Sequence, residues 1–157
     1  MGDTKSLPSL LALDIYRFLM ARWEHFAHGA DVGVRGFGES VDKAFEQAAI
    51  ALSAVVADVS AIAPSETIEV YCDAPDLELL LVSWLNAIVY EMAVRKMVFG
   101  KFRVAISGNS LNGGLAGERI DARRHDLAVE VKGATVTALK VARGEDGNWI
   151  AQCVVDV

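Results

Sequence analysis

Residues 23–59 read WEHFAHGADVGVRGFGESVDKAFEQAAIALSAVVADV, and the change of pattern just after Gly38 decides the fold class. Over 23–38, Gly29, Gly33, Gly36 and Gly38 make a regular helix costly, because an ordered glycine gives up more backbone freedom than any other residue. The stretch reads as irregular strand and turn. Over 40–59 the period changes. Val41, Ala44, Phe45, Ala48, Leu52, Val55, Val56 and Val59 recur at the spacing of one helix face. Ser40 is placed to cap that helix, and Asp42 sits in its first turn, where the helix dipole favours a negative charge. With Asp42, Lys43, Glu46 and Gln47 on the other side, the pattern predicts a helix packed on a sheet.

Downstream, ETIEVYC (66–72) alternates, with Ile68, Val70 and Cys72 on one face, and predicts a half-buried strand. Pro75 and Asp76 punctuate the chain and open a second helix, about Leu77 to Met97. Its apolar face is Leu77, Leu80, Leu81, Trp84, Leu85, Ile88, Val89 and Met92. Glu78, Ser83, Asn86 and Glu91 interrupt the apolar run, so it reads as a core helix and not as a membrane span. From Lys101 the pattern is strand: 101–106, a turn-rich link over Ser107–Gly114, a returning strand over Leu115–Asp121, then Ala128–Lys132 and Ala134–Ala142. A hairpin turn at 144–147 leads to a final strand, Trp149–Val157. The order strand, helix, strand, helix, several strands predicts an α+β fold, with two helices on one face of a mixed, largely antiparallel sheet.

The length of 157 residues suits one domain with its own core. We read 22–157 as that domain and 1–21 as an N-terminal extension; Leu7–Met20 is apolar but too short to span a bilayer and lacks a signal-peptide pattern. Two cysteines are too few for a disulfide scaffold, and the expected compartment is reducing cytoplasm. A net charge of −6 argues against binding nucleic acid through bulk electrostatics, which needs clustered Lys and Arg, and fits a protein partner or a cation. No P-loop, no G-x-S-x-G elbow and no basic run with interleaved aromatics is present in the sequence.

Three groups of residues could carry chemistry. His25, His28 and Asp31 have the text of a transition-metal site, but on a continuous strand His28 would point away from the other two, and no cysteine completes a zinc set. Asp31 and Asp156 form the second group. Asp156 stands inside the apolar run Val154–Val157, where it is either exposed at a fraying end or partnered. Should the last strand dock beside the first, two carboxylates and the main-chain oxygens of Val157 converge as an all-oxygen site suited to calcium or magnesium. Glu130 and Lys132 share a strand face and read equally well as an exposed ion pair. Glu118 and His125 say little singly.

Together these residues resemble the archease family. Trp23-Glu24-His25, His28, Ala30-Asp31 and Gly33 resemble its opening motif, and Gly36 with the helix bearing Ala44-Phe45 and Ala48-Ala49 continues it. Leu79–Asn86 is similar to its middle signature. Gly117-Glu118, His125, Glu130-Val131-Lys132 and Thr135 resemble a later block, and Val154–Val157 its end. The sequence departs from the family where an aromatic residue and a His are usual, since Lys132 is followed by Gly-Ala-Thr-Val-Thr, and at Asp126-Leu127. The resemblance implies a non-enzymatic accessory protein that promotes guanylylation and turnover of a GTP-dependent RNA-splicing ligase. It also implies a divalent cation, calcium, on Asp31, Asp156 and Val157, and contact with the ligase through Lys132, with Glu118 and His28 nearby. No direct nucleic-acid or membrane partner is expected. The alternatives are a stand-alone metal-dependent hydrolase using Asp31, Asp156 and His28, and a general chaperone-like protein.

Overall fold

β1 (Arg22–His28) turns at Gly29–Ala30 into β2 (Asp31–Gly38), and the two pair without interruption from Arg22 opposite Phe37 to His28 opposite Asp31. The glycine-rich opening is therefore a regular hairpin. Two of its glycines, Gly36 and Gly38, serve the neighbouring helix: a Cβ at Gly36 would lie 2.2 Å from the carbonyl oxygen of Ala44, so only glycine lets the backbones approach this closely. α1 (Val41–Val56) follows, with the Ser40 hydroxyl accepting from the Lys43 amide at 3.2 Å. It stops three residues short of the expected end, because Ala57 is extended and a single 3-10 turn occupies Val59–Ala61.

β3 (Glu66–Asp73) leads to α2 (Leu77–Arg95), capped by Asp76, whose Oδ1 accepts from the Leu79 amide at 2.8 Å. Lys96 ends α2 in the left-handed conformation, and β4 (Met97–Ser107) begins at once. β5 (Ser110–Arg119), β6 (Gly133–Ala134), β7 (Lys140–Arg143) and β8 (Trp149–Asp156) complete the order. These elements come from a computed structural model that describes residues 21–157. All but Ala21 of the expected extension 1–21 lies outside the described residues.

Among the described residues the strands form two sheets, and every pairing is antiparallel. One sheet runs β1-β2-β8-β6 with β7 also on β8; the other runs β3-β5-β4. Both helices lie between them. α1 touches β1, β2 and β8 on one side and β4 on the other; α2 touches β6, β7 and β8 as well as β3, β4 and β5. The α+β class and the two packed helices stand as expected, with a sheet on each side of the helix layer. Trp84 of α2 ties the layers together: its Nε1 donates to the Phe45 carbonyl of α1 at 3.1 Å, and its ring meets Phe102 of β4 edge-on. A Cβ at Gly113 of β5 would stand 2.4 Å from Trp84 Cζ3. Gly113 thus answers to the Trp84 ring; Asn112-Gly113 sits inside β5, and the turn falls at Gly108-Asn109, with Gly108 at φ +61.

Two expected strands are absent. Ala128–Lys132 alternates like a strand but belongs to no sheet; it is held at its ends, where the Ala128 amide donates to Val56 O and the Lys132 amide to Asp156 O. Ala134–Ala142 is split by a turn with Ala138 at φ +54, leaving short pieces at β6 and β7.

Candidate metal centre and the surfaces around it

At one corner of the five-stranded sheet three strand ends meet. His28 is opposite Asp31 across β1 and β2, Val32 is opposite Val155 across β2 and β8, and Gly133 is opposite Asp156 across β6 and β8. One step beyond Val32 and Val155, this register sets Asp31 beside Asp156. Val34, Cys153 and Val155 face the helices and are buried. Asp31 and Asp156, one residue out of phase with that row, fall on the opposite face, together with His28. The Val157 amide donates to Asp31 Oδ1 at 3.3 Å, which fixes the chain end against β2. Asp31 is half-buried and Asp156 exposed.

The donors this corner brings together are carboxylate and main-chain oxygens, the set a hard divalent cation takes. No group of three His, Cys, Asp or Glu side chains able to hold a metal occurs among the described residues. A cation here would therefore draw on the main chain at Val157 besides Asp31 and Asp156. In the histidine motif the expected grouping is reversed: the turn at Gly29–Ala30 resets the alternation, so His28 and not His25 shares a face with Asp31. His25 points to α1, and its Nε2 lies 2.7 Å from the Ala51 carbonyl oxygen.

Lys132 is exposed beside this corner and its amide donates to Asp156 O at 2.8 Å. The possible Glu130–Lys132 ion pair is not formed.

Glu118, expected near the partner surface, turns inward instead, with 8% of its surface exposed. Arg124 grips it with Nη1 to Oε1 at 2.6 Å and Nη2 to Oε2 at 2.7 Å, and the Ala63 amide donates to Oε2 at 2.6 Å. His125 lies beneath. Its Nδ1 accepts from the Asp121 amide at 2.8 Å, so in the neutral ring Nε2 carries the proton and donates to Glu118 Oε2 at 3.0 Å. The Arg124 guanidinium, followed by the Ala63 amide, lowers the Glu118 pKa from 4.5 to about 2. With both oxygens engaged, Glu118 anchors the 121–125 turn to the chain around Ala63. Arg124 and Ala63 were not singled out in the sequence, since no local pattern links position 63 to 118.

A cavity of about 410 Å³ lies elsewhere, between the C-terminal half of α2 and residues 127–131. Its lining is apolar apart from Lys96 and Glu130 and includes none of His28, Asp31 or Asp156. Both cysteines are buried in strands; burial raises the Cys72 pKa, and that of Cys153 to about 12.

Comparisons with known proteins agree in one direction. Residues 23–157 match the Archease protein family. The chain is 38% identical over 142 residues to protein archease of Pyrococcus furiosus, covering 88% of this chain and all of that one. It is 35% identical over 140 residues to protein archease of Sulfurisphaera tokodaii, with 88% and 100% covered. A solution structure of Methanobacterium thermoautotrophicum protein 1598 superposes with a TM-score of 0.76 at 30% identity, covering 86% of this chain and 98% of that one.

Proposed function

The chain belongs to the archease family and is an accessory protein, and from that premise we propose that it promotes guanylylation and multiple turnover of a GTP-dependent RNA-splicing ligase in the cytoplasm without being an enzyme itself. The observation that carries this reading is the corner at which Asp31 and Asp156 stand side by side, with the Val157 amide on Asp31 and the Lys132 amide on the Asp156 carbonyl. A divalent cation there, calcium by preference, relieves the repulsion between the carboxylates and fixes the chain end. Lys132 and His28, both exposed beside it, are the side chains within reach of the ligase.

The hydrolase alternative calls for a cleft at His28, Asp31 and Asp156, whereas the 410 Å³ cavity is lined by other, mostly apolar residues. The chaperone-like alternative calls for no particular residue at the corner.

The test is multiple-turnover ligation of a cleaved RNA by the matching ligase with GTP and metal, with wild-type protein and with Asp31→Ala, Asp156→Ala and Lys132→Ala, each checked for folding. Wild type is expected to speed turnover. The two Asp variants are expected to lose at least about tenfold in cation affinity, as a site missing one charged ligand does, and to lose activation with it. Lys132→Ala is expected to lose activation while keeping the cation. A wild-type protein that changes neither guanylylation nor turnover overturns the reading.

A further inference from the structure

Residues 126–132, DLAVEVK, alternate as a strand does but have no strand beside them. After a tight turn at Asp126, where the Leu127 amide donates to His125 O at 3.0 Å, residues 128–132 run without a turn or bend and have no left-handed residue. Its Ala128 and Lys132 amides donate inward, to Val56 O and Asp156 O at 2.9 and 2.8 Å. By the two-residue period of extended chain, the amides and carbonyls of Val129 and Val131 point the other way, and no main-chain partner meets them among the described residues. Extended backbone with one side unpaired is a template for another strand. It borders the apolar cavity, to which Val56, Met92, Met97, Ile120, Leu127 and Val129 contribute. Ile120, Leu127 and Val129 are 39%, 43% and 45% exposed, an unusual gathering of aliphatic surface.

Two further observations say what fits. Lys96 and Arg119 flank the Ile120 end: Met97 is opposite Arg119 in the sheet, and the Ile120 amide donates to Lys96 O at 2.9 Å. Both are exposed, and neither has a carboxylate partner among the described residues. The other end of the segment runs into Lys132 and, through its amide, Asp156. An occupant beside this segment therefore lies alongside the candidate metal centre.

We propose that residues 127–131, an unpaired segment outside both sheets, receive an extended segment of the ligase, apolar at alternate positions and carrying a carboxylate where it meets Lys96 and Arg119. The ligase as source rests on the function proposed above; the shape and charge of its segment come from residues 127–131 and their surroundings. Main-chain hydrogen bonds to Val129 and Val131 supply affinity, and the cavity selects the apolar side chain that enters it.

The test uses the full chain with intact ligase, GTP and metal. Amide exchange at Val129 and Val131 is expected to slow by about tenfold or more when ligase is added. Val129→Pro removes one outward donor and no donor used within the chain, and is expected to weaken ligase binding about tenfold. Val129→Thr, similar in shape and with its amide intact, is expected to bind as wild type does, and thermal melts establish that both variants fold. The exchange measurement on wild type needs no variant at all. Normal activation with no protection at 129 and 131, or full binding by Val129→Pro, overturns the docking site and leaves the accessory function standing. Protection that grows with the concentration of the chain alone gives the site to a second copy and overturns the proposal. Loss of both binding and activation for wild type overturns the accessory reading and this one with it.

Discussion

At Gly113 a methyl group would meet the Trp84 ring at 2.4 Å, so Gly113→Ala is expected to lower stability by about 1–3 kcal/mol, the range for overpacking a filled core, read from urea midpoints. Glu118 acts through charge. Arg124 and the Ala63 amide hold its carboxyl at about 2, below the ordinary 4.5, so its contribution is complete above pH 4.5 and disappears as pH falls toward about 2. Glu118→Gln is expected to be less stable than wild type at pH 7, and the gap between the two urea midpoints is expected to close over that acid range. A gap unchanged at pH 2.5 contradicts the ion pair as its source. From the residues alone Asp31 and Asp156 form a pair only on condition that the last strand docks beside the first, because a carboxylate inside an apolar strand needs water or a partner; the register of β2 on β8 meets that condition. The inward turn of Glu118 was not legible in the sequence, because Ala63 lies 55 positions away along the chain and no periodicity connects residues that distant.

The elements legible in the sequence were those whose cause is local. Both helices announce themselves through period, cap and first-turn acid. At α2 the Asp76 carboxylate accepts the Leu79 amide, and Asp76→Ala is expected to lower stability by about 1 kcal/mol, again checked by urea denaturation. Strands are defined by a neighbour, and there the pattern misled. Residues 128–132 and 134–142 have strand-like composition, yet only Gly133–Ala134 and Lys140–Arg143 find a place on β8. Alternation shows that a segment fits a half-buried pleated surface; it does not supply the second strand. The hairpin β1–β2 looks irregular in sequence for a related reason: Gly36 and Gly38 answer to α1 packed across them and Gly33 to the Phe26 ring, while Gly29, at φ +59 in the turn, answers to backbone preference.

For the whole molecule, the α+β class was visible in the order of elements. The division of the strands into two sheets was not, because nothing in a strand's sequence says which side of a helix it will cover. The helix layer makes one body of both sheets, with Trp84 bonded to α1 and packed against β4 and β5. Far-UV circular dichroism and tryptophan fluorescence are therefore expected to report one coincident unfolding transition, and Trp84→Ala to lower stability by about 3–5 kcal/mol. The cysteines extend this picture. Cys72 lies in the three-stranded sheet and Cys153 in the five-stranded one, both buried. Alkylating reagents attack the thiolate, a form that burial suppresses in both, with the Cys153 pKa raised to about 12. Each sheet thus carries its own chemical stopwatch, silent while closed, and with the helices holding the two together both should start at the same moment.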